Sequence, residues 1–187
     1  TLTNPSNNIG VLAANVQSIH LNSDTGVSAQ GNQLYGKGLY IGTVAGTSGI
    51  TASGAINIAS NSNIFVNQNI SSTNSVQTSP STPAIVLTAG ASITNPGTPT
   101  DPLMTTYGPY GPNVITSNGV KIDPGSGRAM VYMGSTTGSG QGITNLATSG
   151  HYRYNSTQSV TNYTASLDTA TGLYVILRQD PSLTLVP

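Results

Sequence analysis

Two short apolar alternations, separated by an asparagine-rich break, constrain the fold of this chain more than any other feature. They occupy residues 55–71, AINIASNSNIFVNQNIS, where Ile56 and Ile58 share one side of an extended segment and Ile64 and Val66 share one side of the next. Apart from Phe65, the residues beside them are too small or too polar to form a second apolar face. Each segment is therefore predicted to be a half-buried β-strand. A pair of strands this short is not stable alone.

Comparable apolar pairs recur along the chain. They are Ile19/Leu21, Leu39/Ile41, Ile64/Val66, Ile85/Leu87 and Val120/Ile122. Their first members are 20, 25, 21 and 35 residues apart, and loosely regular spacing of this order is typical of repeat folds. The pattern favours a parallel β-helix, a solenoid in which Ile19, Leu39, Ile64 and Ile85 would contact one another in one interior stack. The alternative is a β-sandwich with irregular strand spacing.

The composition indicates a folded, turn-rich, all-β protein. The chain has 22 Gly and 11 Pro, yet 36% of its residues are hydrophobic and its formal net charge is zero, whereas disordered chains usually combine low hydrophobicity with high net charge. The few basic residues are scattered, so we expect no nucleic-acid partner. No apolar run reaches the ~20 residues that span a bilayer and no signal peptide is evident, so we expect no membrane insertion and a chain that is mature or part of a longer one.

The residue types that most chemistry needs are scarce. There is no Glu and no Cys, and the Asp residues lie far apart at positions 24, 101, 123, 168 and 180. Hydrolases and lyases need clustered acids and bases, so we expect no enzyme activity, no catalytic residues, no cofactor and no metal site. Asn69, Asn155 and Asn162 begin N-glycosylation sequons and are candidate modification sites.

Two regions depart from the strand pattern. Residues 94–113 are rich in Pro and Gly and are predicted to be a loop insertion into coils that span residues 1–133. Tyr107 and Tyr110 in this loop would form either an exposed contact site or a lid on the apolar end of the core. Residues 134–187 are predicted to form a C-terminal capping β region and connector, in which residues 173–177 form a strand and Pro181 marks the exit of the chain.

Three runs carry a resemblance to a known family. AIVLTAGASITNPG, VITSNGVKIDPGSGRAMVYMGSTTGSGQGI and GLYVILRQDPSLTLVP resemble the end of the β-helical region in filamentous-haemagglutinin-like adhesins of two-partner secretion systems, above all those with tandem MBG/YDG modules. Gly127, Arg128, Val131 and Tyr132 match the glycine-arginine-aromatic strand of that family, although Ala129 stands where the aromatic residue is usual. The resemblance covers roughly the C-terminal half of the chain. Residues 1–83 match the family only in general character.

The resemblance implies a right-handed parallel β-helix that forms the shaft of a secreted or cell-surface bacterial fibre. Such a fibre would serve attachment or biofilm cohesion, and its partners would be neighbouring modules of the same adhesin or like subunits, with a host or matrix receptor that the sequence does not identify. The alternative is a self-assembling subunit of an extracellular filament, in which residues 173–187 add a strand to a neighbouring subunit.

Overall fold

Nearly all regular structure in this protein is β-strand. A computed structural model of the 187-residue chain describes residues 1–2, 9–23, 38–73, 82–97, 110–136, 143, 151–164, 167 and 171–180. In chain order the strands are β1 Val11–Leu12, β2 Ala14–Val16, β3 Ile19–Ser23, β4 Leu39–Ile41, β5 Thr43–Val44, β6 Thr47–Ser48, β7 Ile50–Ala52, β8 Ile56–Ser60, β9 Ile64–Val66, β10 Ile70–Ser72, β11 Ile85–Ala89, β12 Val114–Thr116, β13 Ile122–Asp123, β14 Arg128–Met133, β15 Tyr152–Arg153 and β16 Gly172–Leu177.

These strands form three parallel sheets. Sheet A has the order β3-β8-β11-β14-β16-β15, sheet B has the order β1-β4-β9-β12, and sheet C has the order β2-β7-β10-β13. Apart from the small antiparallel hairpin of β5 and β6, every pair of neighbouring strands is parallel. The chain visits sheets B, C and A in that order, four times in succession. The fold is therefore all-β and parallel, and it is compatible with the predicted solenoid.

In-register columns of aliphatic side chains form the core. In sheet A, pairing aligns Leu21, Ile58, Leu87, Val131 and Val175, and all five are fully buried. Buried residues of all three sheets belong to the same hydrophobic cluster. Burying one such side chain contributes about 1.5–3 kcal/mol, so the columns supply the main stabilising free energy. The prediction that the apolar pairs of residues 55–71 face inward is confirmed.

The predicted stack of Ile19, Leu39, Ile64 and Ile85 is wrong. Ile19 and Ile85 both pair with Ile56 in sheet A, whereas Leu39 pairs with Ile64 in sheet B. Each pass of the chain contains three short strands, so apolar pairs that are neighbours in sequence lie on different sheets. The four residues still share one core, because three of them belong to it and Ile19 packs against it.

Asparagine side chains complete the backbone hydrogen bonding at the corners between sheets. Asn63 Oδ1 accepts a hydrogen bond from the backbone N of Asn113 at 2.7 Å, and Asn113 Oδ1 accepts one from the backbone N of Ser135 at 2.8 Å. Asn69 Oδ1 does the same for Lys121 at 2.9 Å. A corner N–H has no partner in the regular ladder, and an unpaired polar group is costly when buried. These three Asn side chains thus have a structural role.

The strand predicted at residues 173–177 is confirmed as part of β16. Leu173, Val175 and Leu177 point into the core, and Tyr174 and Ile176 point outward from sheet A. Six residues of β16 pair in register with β14, so this strand continues the sheet of the preceding coils. The boundary predicted between residues 133 and 134 stays a prediction. Residues 98–109 of the predicted loop insertion and the exit at Pro181 lie outside the described residues.

Thr116 provides a test of the interior assignment. It is in register with Val66 and points into the core, where its Oγ1 is buried and has no hydrogen-bond partner in the described structure. We expect Thr116→Val to raise the free energy of unfolding by about 1–2 kcal/mol, because it removes a desolvated hydroxyl without changing the shape of the side chain. Urea denaturation measures the change.

The matched control is Thr47→Val, which places the same substitution on an exposed strand. It should change the free energy of unfolding by less than about 0.5 kcal/mol. A destabilised Thr116→Val variant would show that this side of β12 does not face an apolar interior.

Candidate binding cleft on the outer face of sheet A

The outer face of sheet A changes from polar to apolar towards its C-terminal strands. One outward row runs in register through His20, Asn57, Val86, Met130 and Tyr174. The first is exposed and the second half-buried, whereas the last three are buried. Val86, Met130 and Tyr174 form a second hydrophobic cluster with Ile176, separate from the core. An apolar outer face of this kind needs a cover to exclude water.

Residues 151–164 supply that cover, largely through aromatic and cationic side chains. The His151 ring stacks on the Tyr174 ring with centroids 4.1 Å apart and planes 8° apart. The Arg153 guanidinium carbon lies 6.0 Å from the centroid of the Tyr174 ring and 5.7 Å from that of Tyr163. Arg128, on β14 of the sheet itself, places its guanidinium carbon 4.8 Å from the Tyr174 centroid. Cation–π contacts contribute about 0.5–1 kcal/mol at exposed sites and about 2 kcal/mol when desolvated, so they help to fix the cover on the sheet.

Hydrogen bonds attach the turn at residues 157–160 to the rest of the protein. Thr157 Oγ1 and Ser159 Oγ both donate to the carbonyl oxygen of Thr94, at 3.0 and 3.3 Å. Thr88 Oγ1, on β11, donates to Gln158 Oε1 at 3.1 Å. The turn is therefore held against both the sheet and residue 94.

Arg178 joins three segments beneath this turn. It follows β16 directly and its side chain is 1% exposed. Its Nε donates to the carbonyl oxygen of Tyr110 at 2.8 Å, Nη1 to that of Ala89 at 2.8 Å and Nη2 to that of Pro112 at 2.6 Å. Hydrogen bonds to backbone carbonyl groups thus offset the cost of burying the guanidinium. The sequence showed only an arginine after a predicted strand, and its partners lie more than sixty residues away.

A cleft of about 210 Å³ lies between the ends of β11 and β14 and the attached turn. Its lining combines hydroxyl and amide groups, one aromatic ring, aliphatic groups and one guanidinium: Thr88, Gly90, Ala91, Ile93, Thr94, Tyr132, Thr157, Gln158, Ser159 and Arg178. Burial, with a smaller effect of nearby Tyr163, raises the pKa of Tyr132 to about 12. The Tyr132 phenol is therefore neutral at physiological pH and can donate a hydrogen bond. This lining has the groups that bind a small, neutral, polar molecule.

The structure places the tyrosines of the predicted contact loop as follows. Tyr110 is half-buried, and its carbonyl oxygen accepts the hydrogen bond from Arg178. Tyr107 lies outside the described residues. The contact-site and lid roles of this pair stay predictions. Sequence analysis missed Tyr132, Gln158 and Arg178 as lining residues, because no local motif marks a site that forms only when distant segments pack together.

The three candidate glycosylation sites lie in two places. Asn69 is exposed between β9 and β10, and its Oδ1 is engaged with Lys121. Asn155 and Asn162 lie together in the cover segment, where Asn162 Nδ2 donates to the carbonyl oxygen of Asn155 at 2.7 Å. Asn155 has a φ of 50°, in the left-handed region, which Asn tolerates better than most residues. Glycosylation of all three stays a prediction.

The described part of the chain has neither a cluster of metal-ligating side chains nor a membrane-spanning helix. No three His, Cys, Asp or Glu residues there are placed to hold a metal ion. No helix in the same part is long and apolar enough to cross a membrane.

Tyr132 gives a pH-dependent test of the cleft. Because folding raises its pKa from 10.0 to about 12, the unfolded chain loses this proton first as the pH rises. We expect the contribution of Tyr132 to stability to be complete below pH 10 and to be lost between pH 10 and about 12. Alkaline difference spectroscopy of the wild-type protein against Tyr132→Phe should show a tyrosine that titrates near pH 12. A midpoint near 10 would contradict the half-buried environment.

Substitutions of Arg178 test whether its hydrogen bonds hold the three segments together. Arg178→Met should lower the free energy of unfolding by more than about 2 kcal/mol, since it removes the donors of three hydrogen bonds to backbone carbonyl oxygens, two of which belong to the buried residues Ala89 and Pro112. Arg178→Lys should recover only part of the loss, because an ammonium group lacks the planar fork of donors. Arg153→Met is the matched control and should cost about 1 kcal/mol or less, since Arg153 is half-buried. Equal losses in the two methionine variants, measured by urea denaturation, would contradict this role.

Comparison with known proteins identifies no relative of this chain. No family model matches it, and neither a curated protein nor a solved structure does so.

Proposed function

We propose that this protein is a non-enzymatic structural segment of a large secreted bacterial surface adhesin. In this proposal the three parallel sheets are the faces of a right-handed parallel β-helix, which forms a stiff shaft for attachment or biofilm cohesion. The observation that carries the proposal is the in-register stacking of successive passes on all three sheets. The resemblance of the C-terminal half to filamentous-haemagglutinin-like adhesins supports the same assignment.

The stacking supports a shaft for a mechanical reason. Parallel hydrogen-bond ladders on three sides would all run along one axis, and each coil would add about 4.8 Å to the length of the rod. Each coil covers the apolar side chains of the next. The core is aliphatic, and the chain has no cysteine. Such a rod gains its stability from stacking and hydrogen bonds, without disulfides, which suits a long extracellular fibre. The partners of this shaft would be neighbouring modules of the adhesin. The proposal specifies no receptor.

One observation supports the alternative of a filament subunit. The edge strands β1 and β2 carry Val11 and Val16, which are 49% and 38% exposed. An edge strand offers unpaired backbone groups on which another chain can add a strand. Under the filament proposal, the segment that follows Gln179 would pair with this edge in a neighbouring subunit.

Truncation after Gln179 separates the two proposals. For a shaft segment we expect a monomer whose sedimentation coefficient is independent of concentration, with the same melting temperature before and after truncation, because the removed residues only connect to the next module. Analytical ultracentrifugation and circular dichroism measure both properties. Concentration-dependent polymers that disappear on truncation would replace the shaft with the filament subunit.

Attachment is tested separately, on cells that display the protein. Cells that display the wild-type chain should adhere to matrix-coated surfaces or to one another more than cells that display a Leu87→Asp variant, since Leu87 lies in the core column and a buried charge disrupts the fold. Equal adherence at equal display level would contradict the adhesin assignment.

A further inference from the structure

We infer that the cleft between β11, β14 and the turn at residues 157–160 binds one uncharged sugar ring, such as the terminal pyranose of a glycan. The inference goes beyond the proposed shaft and does not rest on it, because a sugar site on the outer face of sheet A would be present in a shaft segment and in a filament subunit alike. Four properties of the cleft carry it: size, unused hydrogen-bonding groups, charge and rigidity.

The size of the cleft limits the ligand to a single ring. Its volume of about 210 Å³ lies below the range of about 300–1,000 Å³ that is usual for pockets of drug-sized ligands. A pyranose ring has an apolar face of C–H groups and an edge of hydroxyl groups. The cleft offers both kinds of surface, since Ile93, Ala91 and the Tyr132 ring are apolar and the turn at residues 157–159 contributes polar groups.

Three polar groups of the cleft lining are free to bind sugar hydroxyls. Within the described part of the chain, the Tyr132 hydroxyl, the Thr94 hydroxyl and Gln158 Nε2 make no hydrogen bond. A hydroxyl group both donates and accepts, and the Gln158 nitrogen donates. A sugar hydroxyl can satisfy all of these groups because it also plays both roles. A purely apolar ligand would remove them from water and leave them without partners, which opposes binding.

The charge of the lining favours a neutral ligand. Among the described lining residues there is no carboxylate to attract a cation. The only charged one, Arg178, directs its Nε, Nη1 and Nη2 to the carbonyl oxygens of Tyr110, Ala89 and Pro112. Its donors serve the fold, so an anionic sugar has little to gain over a neutral one.

The cleft is also held rigid before any ligand arrives. Thr157 and Ser159 both donate to the Thr94 carbonyl, and Thr88 orients Gln158 through its Oε1. The amide of Gln158 is thereby fixed with its nitrogen available. A preorganised site loses less conformational entropy on binding, which matters for a ligand as small as one sugar ring.

The test is an NMR titration of the full ¹⁵N-labelled chain with methyl glycosides of glucose, galactose, mannose and N-acetylglucosamine. At least one should cause saturable shifts of the backbone amides of Tyr132, Gln158 and Ser159, with a dissociation constant on the order of millimolar, as expected for a few hydrogen bonds and one ring face. Tyr132→Phe should weaken this binding by about 2–10-fold, because it removes one hydrogen-bonding hydroxyl.

A matched control and a second variant make the test decisive. Tyr40→Phe removes a hydroxyl from a tyrosine that stacks on Phe65 on the outer face of sheet B, and it should leave the affinity unchanged. Gln158→Ala changes an exposed side chain, so it should keep the fold and weaken binding by about 2–10-fold even if Tyr132→Phe does not fold.

Four outcomes would overturn the inference: no saturable shift with any methyl glycoside, shifts confined to residues away from the cleft, affinity that neither variant lowers, or binding of methyl glucuronide alone. None of them affects the sedimentation and display tests of the proposed function.

Discussion

The burial of inward-facing aliphatic columns is the interaction on which the rest of this structure depends. Each strand is only two to six residues long, so no strand pair can exclude water from its own apolar side chains. Leu21, Ile58, Leu87, Val131 and Val175 become buried only because pairing aligns them in one column. Parallel register on all three sheets follows from this requirement, since a shift of one residue would turn every aliphatic side chain outward.

The same register also decides what lies outside. Once the inward rows are aligned, Val86, Met130 and Tyr174 must form an outward row on sheet A. Their burial requires the cover of residues 151–164, in which the His151 ring stacks on Tyr174 and the Arg153 guanidinium carbon lies 6.0 Å from the centroid of the Tyr174 ring. The cleft is a consequence of this cover, because the turn at residues 157–160 meets the sheet at polar positions and leaves a space beside Tyr132. The proposed sugar site thus depends on the packing that stabilises the fold.

Arg178 connects the core to the cleft. It is the residue after β16, and its side chain binds carbonyl groups at the end of β11 and in the segment before β12. A buried guanidinium is expensive unless its donors are satisfied, so the three segments hold one another in place. Arg178 lines the cleft, but its donors bind backbone carbonyl oxygens. It therefore contributes to the shape of the cleft more than to binding a charged ligand, and a neutral ligand suits the site.

The sequence by itself determined which residues face inward within a strand, and tertiary structure decided which strands stack. Alternation with a period of two is a local property, so Ile56/Ile58, Ile64/Val66 and the two faces of residues 173–177 could be predicted. Whether neighbouring pairs share a sheet depends on the number of strands in each pass, which spacing alone does not encode, and Ile19 and Leu39 consequently belong to different sheets. For the candidate site, the sequence pointed to Tyr110, which lies beside the cleft and contacts Arg178, but it did not mark Tyr132, Gln158 or Arg178 as lining residues. Those residues come together only through hydrogen bonds between segments tens of residues apart, and no local pattern carries that information.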